Sequence, residues 1–142
     1  TMKTLIMTVG LPQSGKSTWA QKQSHPIVNP DSIRLALHGK PFIGLAEPFV
    51  WAIAKVMVRS LFLAGHSAVI LDATNTTRKR RDEWKSRDWV RTFVEFPETP
   101  EVCKERAKKT AINPEHESGL VGAIERMADQ FEEVDVDAEG EE

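Results

Sequence analysis

The sequence predicts an α/β fold, a parallel sheet with helices on both faces, built as a single domain within 142 residues. Three observations predict it. An apolar, β-prone segment, Leu5–Val9, runs into a glycine-containing loop and then a helical segment. Short apolar runs alternate with amphipathic segments along most of the chain. Ala68–Leu71 is continuously apolar, as a strand buried on both faces of a parallel sheet should be.

The elements follow in order. Thr4–Val9 is the first strand and Thr18–Gln23 belongs to the first helix. Pro26–Asn29 reads as a short second strand. Asp31 falls where an N-cap would, and Ser32–His38 is a short helix ended by Gly39. After a loop at Lys40–Leu45, Pro48 suits a first helical position, and Phe49–Ala64 is a long apolar helix stopped by Gly65. Ala68–Leu71 is the third strand, Thr77–Arg87 a highly charged helix, and Val90–Phe96 the fourth strand. Pro100–Lys109 reads as a helix, Thr110–Gly119 as a loop, and Leu120–Phe131 as a last helix with its apolar residues at helical spacing.

Charge is unevenly spread. Residues 132–142 hold seven acids and no base, which leaves the first 131 with 19 bases and 14 acids, a net of +5. The domain is therefore placed at 1–131, with 132–142 an acidic, disordered tail that has too little apolar surface to order itself. No apolar run reaches the roughly 20 residues that a bilayer span needs. The N-terminal stretch, one Lys and a short strand leading into the loop, does not read as a signal peptide. Cys103 is the single cysteine, which fits a buried free thiol in a reducing cytoplasm.

The chemistry starts at Gly10-Leu11-Pro12-Gln13-Ser14-Gly15-Lys16-Ser17, a G-x-x-x-x-G-K-S phosphate-binding loop in its expected strand–loop–helix setting. Its amide groups, with Gly10, Gln13, Ser14, Gly15 and Thr18, would cradle phosphates; Lys16 would reach the β- and γ-phosphates, and Ser17 would hold Mg²⁺. Two clusters fall at the carboxyl ends of other strands, where open α/β sheets bind ligands. In Asn29-Pro30-Asp31-Ser32-Ile33-Arg34, Asp31 and Arg34 share a helix face. Asp31 reads equally as a helix cap and as a carboxylate that accepts a proton from an attacking hydroxyl, and Arg34 equally as a solvated base and as a phosphate ligand. In Leu71–Arg81, Asp72 suits a second acid organising Mg²⁺, with Thr74 and Asn75 beside it; the basic run that holds Arg78 and Arg81 reads equally as a solvated helix face and as ligands for substrate phosphates. Of the four tryptophans, Trp19 and Trp51 lie in apolar helical segments and read as core, whereas Trp84 and Trp89 lie near the basic helix, open to base stacking.

These three motifs, in this order and spacing, resemble the polynucleotide-kinase-type P-loop kinases (the AAA_33-like family, which includes phage DNA kinases) over roughly residues 3–131. The resemblance implies a P-loop kinase fold and an ATP-dependent, Mg²⁺-assisted transfer of the γ-phosphate to a hydroxyl of a nucleic acid, foremost a polynucleotide 5′-OH end. It makes Asp31 the general base and Arg34 the ligand of the neighbouring phosphate. Its lid pattern, R-N-x-x-R, is met only in part: Arg106 fits the first position, Ala107 replaces Asn, and Thr110 takes the second Arg position beside Lys109. Alternatives within the resemblance are a kinase of 5-hydroxymethyluracil bases in phage DNA and small-molecule or tRNA-linked kinases. A non-catalytic nucleotide switch is opposed by Asp31 and by the absence of an N-K-x-D base-reading motif.

Overall fold

The structure, a computed structural model, describes residues 2–139. Four parallel strands form one sheet: β1 (Thr4–Val9), β2 (Ile27–Val28), β3 (Ala68–Leu71) and β4 (Val90–Glu95), in the order β2-β3-β1-β4. β1 lies between β3 and β4, with Thr4 level with Ala68 on one side and Val90 on the other. β2 pairs only with β3, Ile27 level with Ile70. Every connection is a crossover, as parallel pairing demands.

Successive strand residues face opposite sides of the sheet. Leu5 and Met7 enter the larger core, where Val50, Ala54, Val58 and Phe62 of α3 (Glu47–Leu63) meet Val69, Leu71, Trp84 and Trp89. Thr8 and Ile70 are fully buried as well, so both faces are covered. A second, smaller core joins Leu11 to Cys103 and Ala107 of α5 (Pro100–Thr110) and Ile124 of α6 (Pro114–Gln130). Cys103 is a buried free thiol.

α1 (Lys16–Gln21) and α2 (Pro30–His38) begin earlier than their sequence patterns suggest. Asn29, not Asp31, caps α2: its Oδ1 accepts from the amides of Asp31 at 2.8 Å and Ser32 at 3.3 Å, with Pro30 at the first helical position. α6 starts at Pro114 rather than Leu120, because Asn113 accepts from the His116 amide at 2.7 Å and supplies the cap. α4 spans only Arg78–Asp82. The chain leaves the helix there because Trp84 turns into the core, and Trp89 follows, donating its indole N–H to the Trp84 carbonyl at 2.9 Å. Trp84 and Trp89 are therefore core residues, not a stacking surface.

Residues 132–139, expected as disordered tail, lie against the domain, with a short α7 (Val136–Glu139). The Glu132 amide donates to the Thr76 carbonyl at 2.8 Å. Glu139 is buried and pairs with the buried Arg81, Nε to Oε1 at 2.8 Å. Apolar content alone predicts no docking here. The cause is electrostatic: Arg81 and Arg91 sit inside the domain and need carboxylate and carbonyl partners. The rest of the expected tail, 140–142, lies outside the described residues.

Candidate active site

The loop between β1 and α1 carries the phosphate-binding motif. Gln13 (φ 68°) and Gly15 (φ 98°) take left-handed conformations that curl it. Gly10 is required by space: a Cβ there would sit 2.8 Å from Ser14 Oγ and 2.9 Å from Phe96 Cβ. No side chain caps α1, so its first amides stay open toward the loop.

Lys16 is buried, its ammonium donating to the Leu11 carbonyl at 2.6 Å and to Ser14 Oγ at 3.3 Å. Burial pushes its pKa down from 10.5 to about 8, and the charge of Asp72 pulls the other way. Ser17 Oγ donates to Asp72 Oδ2 at 2.7 Å, and Asn29 Nδ2 donates to the same oxygen at 3.0 Å. The three sequence motifs thus meet at one carboxylate. Asn29 does two jobs, capping α2 and binding Asp72. Asn29 stands at the head of its motif, yet no local sequence signal assigns it the bond to Asp72.

Asp31 projects from the first turn of α2, its side chain 82% exposed, and accepts from Arg34 Nη1 at 2.7 Å. Arg34 is itself held by Glu47, which accepts from Nε at 2.9 Å and Nη2 at 2.7 Å. These bonds keep the Glu47 carboxyl below its ordinary pKa range, against the effect of its partial burial. Glu47 lies just ahead of the helix start that the sequence pattern at Pro48 indicates, and α3 begins with it. The only available signal was an acid just ahead of Pro48 at a helix start.

Thr74 and Asn75 hold the third motif to the first. The Thr74 carbonyl accepts from the Gly10 amide at 3.0 Å, and Asn75 Nδ2 donates to the Thr8 carbonyl at 2.8 Å. Asn75 is buried, at φ 45°. Arg81, expected at substrate phosphates, is sealed inside, donating to Glu139, to the Asn75 carbonyl at 2.9 Å and to the Glu133 carbonyl at 3.2 Å. Asn75 and Arg81 therefore support the site from beneath instead of lining it. Arg78 is part-exposed, its Nε 3.7 Å from the Asp82 carboxylate.

Above the loop, Arg106 on α5 donates to the Gln13 carbonyl at 3.1 Å, and its guanidinium reaches within 3.9 Å of where a Gly15 Cβ would be. Lys109 is exposed and Thr110 Oγ1 lies 3.4 Å from Gln13 Oε1. A cleft of about 650 Å³ runs along Gln13–Trp19, Lys22, Phe96, Glu98 and Arg106. A second, of about 540 Å³, is lined by Asp72 together with Asn29, Ser32, Ile33, Ile53 and Met57. Asp72 lines this second cleft and is bonded to Ser17, which lines the first.

Ser17 and Asp72 present two hard oxygen donors side by side, the donor type Mg²⁺ prefers. Among the described residues no group of three or more His, Cys, Asp or Glu could hold a metal. Likewise, no helix among them is long and apolar enough to cross a membrane.

Solved structures share this architecture. A chain of the Pnkp1/Rnl/Hen1 complex is 25% identical with TM-score 0.65 over 79% of this chain. A chain of the Pnkp1/Rnl/Hen1 RNA repair complex is 20% identical with TM-score 0.66 over 92%. This chain spans only 40% and 47% of their lengths. A gluconokinase from Sinorhizobium meliloti 1021 is 20% identical, TM-score 0.55, over 93% of this chain and 75% of its own. No curated protein matches the sequence. A family model described as "AAA domain" matches residues 5–134. A match of that extent, over the loop, strands and helices that build this site, places the chain in the AAA_33 family, as a P-loop kinase of the polynucleotide-kinase type.

Proposed function

We propose that this protein is an ATP-dependent kinase that phosphorylates a hydroxyl of a nucleic acid, foremost a polynucleotide 5′-OH end. The observation that carries the proposal is the Ser17–Asp72–Asn29 junction. It fixes the helix bearing Asp31 to the phosphate-binding loop, so an exposed carboxylate stands across Asp72 from Lys16.

In this reading Lys16 turns from Leu11 and Ser14 toward the β- and γ-phosphates, the open amides of the loop hold phosphate oxygens, and Arg106 closes over them. Ser17 and Asp72 would hold Mg²⁺, which when bound neutralises charge on the phosphates. The acceptor oxygen forms a bond to the γ-phosphorus as the bond to the β–γ bridging oxygen breaks. Its proton passes to Asp31, and ADP leaves. Arg34 orients Asp31, and it binds the acceptor's nearest phosphate by exchanging one of its two bonds to Glu47.

The Pnkp1/Rnl/Hen1 RNA repair likeness supports a nucleic-acid acceptor, and the gluconokinase likeness names the rival, a small hydroxyl compound. The test is γ-labelled ATP transfer across a panel of 5′-OH DNA, 5′-OH RNA, 5-hydroxymethyluracil DNA, free nucleosides and gluconate. Transfer to a 5′-OH end is the expected result. Labelling of gluconate or a nucleoside with no oligonucleotide product would replace the proposal.

A further inference from the structure

We infer that Trp51 and Arg80 form a stacking site for the nucleobase of the acceptor nucleotide; the inference rests on the nucleic-acid reading above and names how that substrate is held. Trp51 is half-buried on α3, in a cleft of about 570 Å³ shared with Glu47, Lys55, Arg80, Glu83 and Trp84. That volume lies within the range of small-ligand pockets. One ring face is covered not by apolar packing but by a cation: the Arg80 guanidinium lies 4.4 Å from the ring centroid. Arg80 is 39% exposed and its ion pair with the exposed Glu83 is long at 3.7 Å. Such a group is readily displaced by a planar base, which then has Arg80 and Lys55 beside it for phosphate. The Trp51 ring is held ready by an edge contact with Trp84, centroids 6.4 Å apart.

Position ties the cleft to the reaction. The Arg34 guanidinium carbon lies 5.8 Å from the Trp51 centroid while its Nη1 is 2.7 Å from Asp31. One guanidinium thus spans from the stacking ring to the carboxylate that would take the hydroxyl proton. Glu47, which binds Arg34, lines the same cleft. A nucleotide with its 5′ oxygen at Asp31 has its base within reach of Trp51.

The experiment compares two 5′-OH oligonucleotides that differ only in whether the first nucleotide carries a base or is abasic. Affinity is read by fluorescence anisotropy, and acceptor KM and kcat by labelled-phosphate transfer, for the wild-type protein, Trp51→Leu and Trp51→Phe. An ATP-induced thermal shift verifies that each variant is folded. The wild-type protein should prefer the base-bearing acceptor by roughly ten- to a hundredfold in Kd and KM, the scale of one stacked base. Trp51→Leu should lose that preference, and Trp51→Phe, which keeps an aromatic face, should recover most of it. Trp51→Leu that still discriminates the two oligonucleotides as the wild type does overturns this inference alone. A wild-type protein that neither binds nor phosphorylates either oligonucleotide overturns the nucleic-acid reading and this inference with it.

Discussion

Replacing Lys16 with methionine should make the nucleotide-free protein more stable at neutral pH. Lys16 carries its charge into a buried site, where its pKa falls from 10.5 to about 8. At about 1.4 kcal/mol per pH unit, holding that charge costs roughly 3 kcal/mol at pH 7. Methionine fills a similar volume without charge, but it leaves the Leu11 carbonyl without its 2.6 Å donor, a loss of about 1–2 kcal/mol. The balance is a gain of about 1–2 kcal/mol, or roughly 3–6 °C in Tm for a domain of this size. The sign with pH follows from the direction of the shift. The folded pKa lies below the unfolded one, so the penalty is complete below pH 8 and disappears as pH rises toward 10.5. By pH 9.5 it has fallen to about 1.4 kcal/mol, and the advantage of the variant should shrink to nothing or reverse. Thermal melts followed by circular dichroism at pH 7 and 9.5, without nucleotide, measure both effects. Adding ATP should raise the wild-type Tm and leave the variant unmoved. A variant that melts below wild type at pH 7, or by the same margin at both pH values, would refute the reasoning.

Asp31→Asn should reduce kcat by at least about a hundredfold with little change in Tm, since Asn29 rather than Asp31 caps α2; stopped-time transfer assays and melts check the two halves. Gly10→Ala should weaken ATP binding by an order of magnitude or more, because the added methyl meets Ser14 Oγ and Phe96; isothermal titration measures it, and unchanged affinity would mean the loop has slack. Glu139→Gln should destabilise the domain by about 3 kcal/mol or more in urea titrations, by leaving Arg81 buried without its counter-charge. Truncation after residue 131 should cost at least as much, and a neutral result would show that the segment is dispensable.

Legibility tracked sequence distance. The phosphate-binding loop, β1 and β3 could be read because each is a short run whose pattern carries its own reason: glycines for the curl, apolar residues for burial on two faces. The convergence on Asp72 followed from a rule about strand ends rather than from any local signal. What stayed hidden was pairing. Nothing near Arg34 announces Glu47, and nothing near Arg81 announces Glu139, since each ion pair is chosen by the fold. The tryptophans show the same limit. Trp84 beside a basic run is core, and Trp51 in an apolar helix borders arginines, because neighbours in sequence do not say which way a ring turns.

The strand order has a kinetic consequence. β1 is made before both of its partners, which come late, one after α3 and the other after α4. A nascent chain that ends before β3 has the glycines and Lys16 but no Asp72, and one that ends before β4 leaves an edge of β1 unpaired. Native contacts of this kind link distant parts of the chain and form slowly. Nucleotide affinity should therefore emerge late in refolding, in one step with the sheet, and a trace in which ATP capture precedes strand formation would contradict that order.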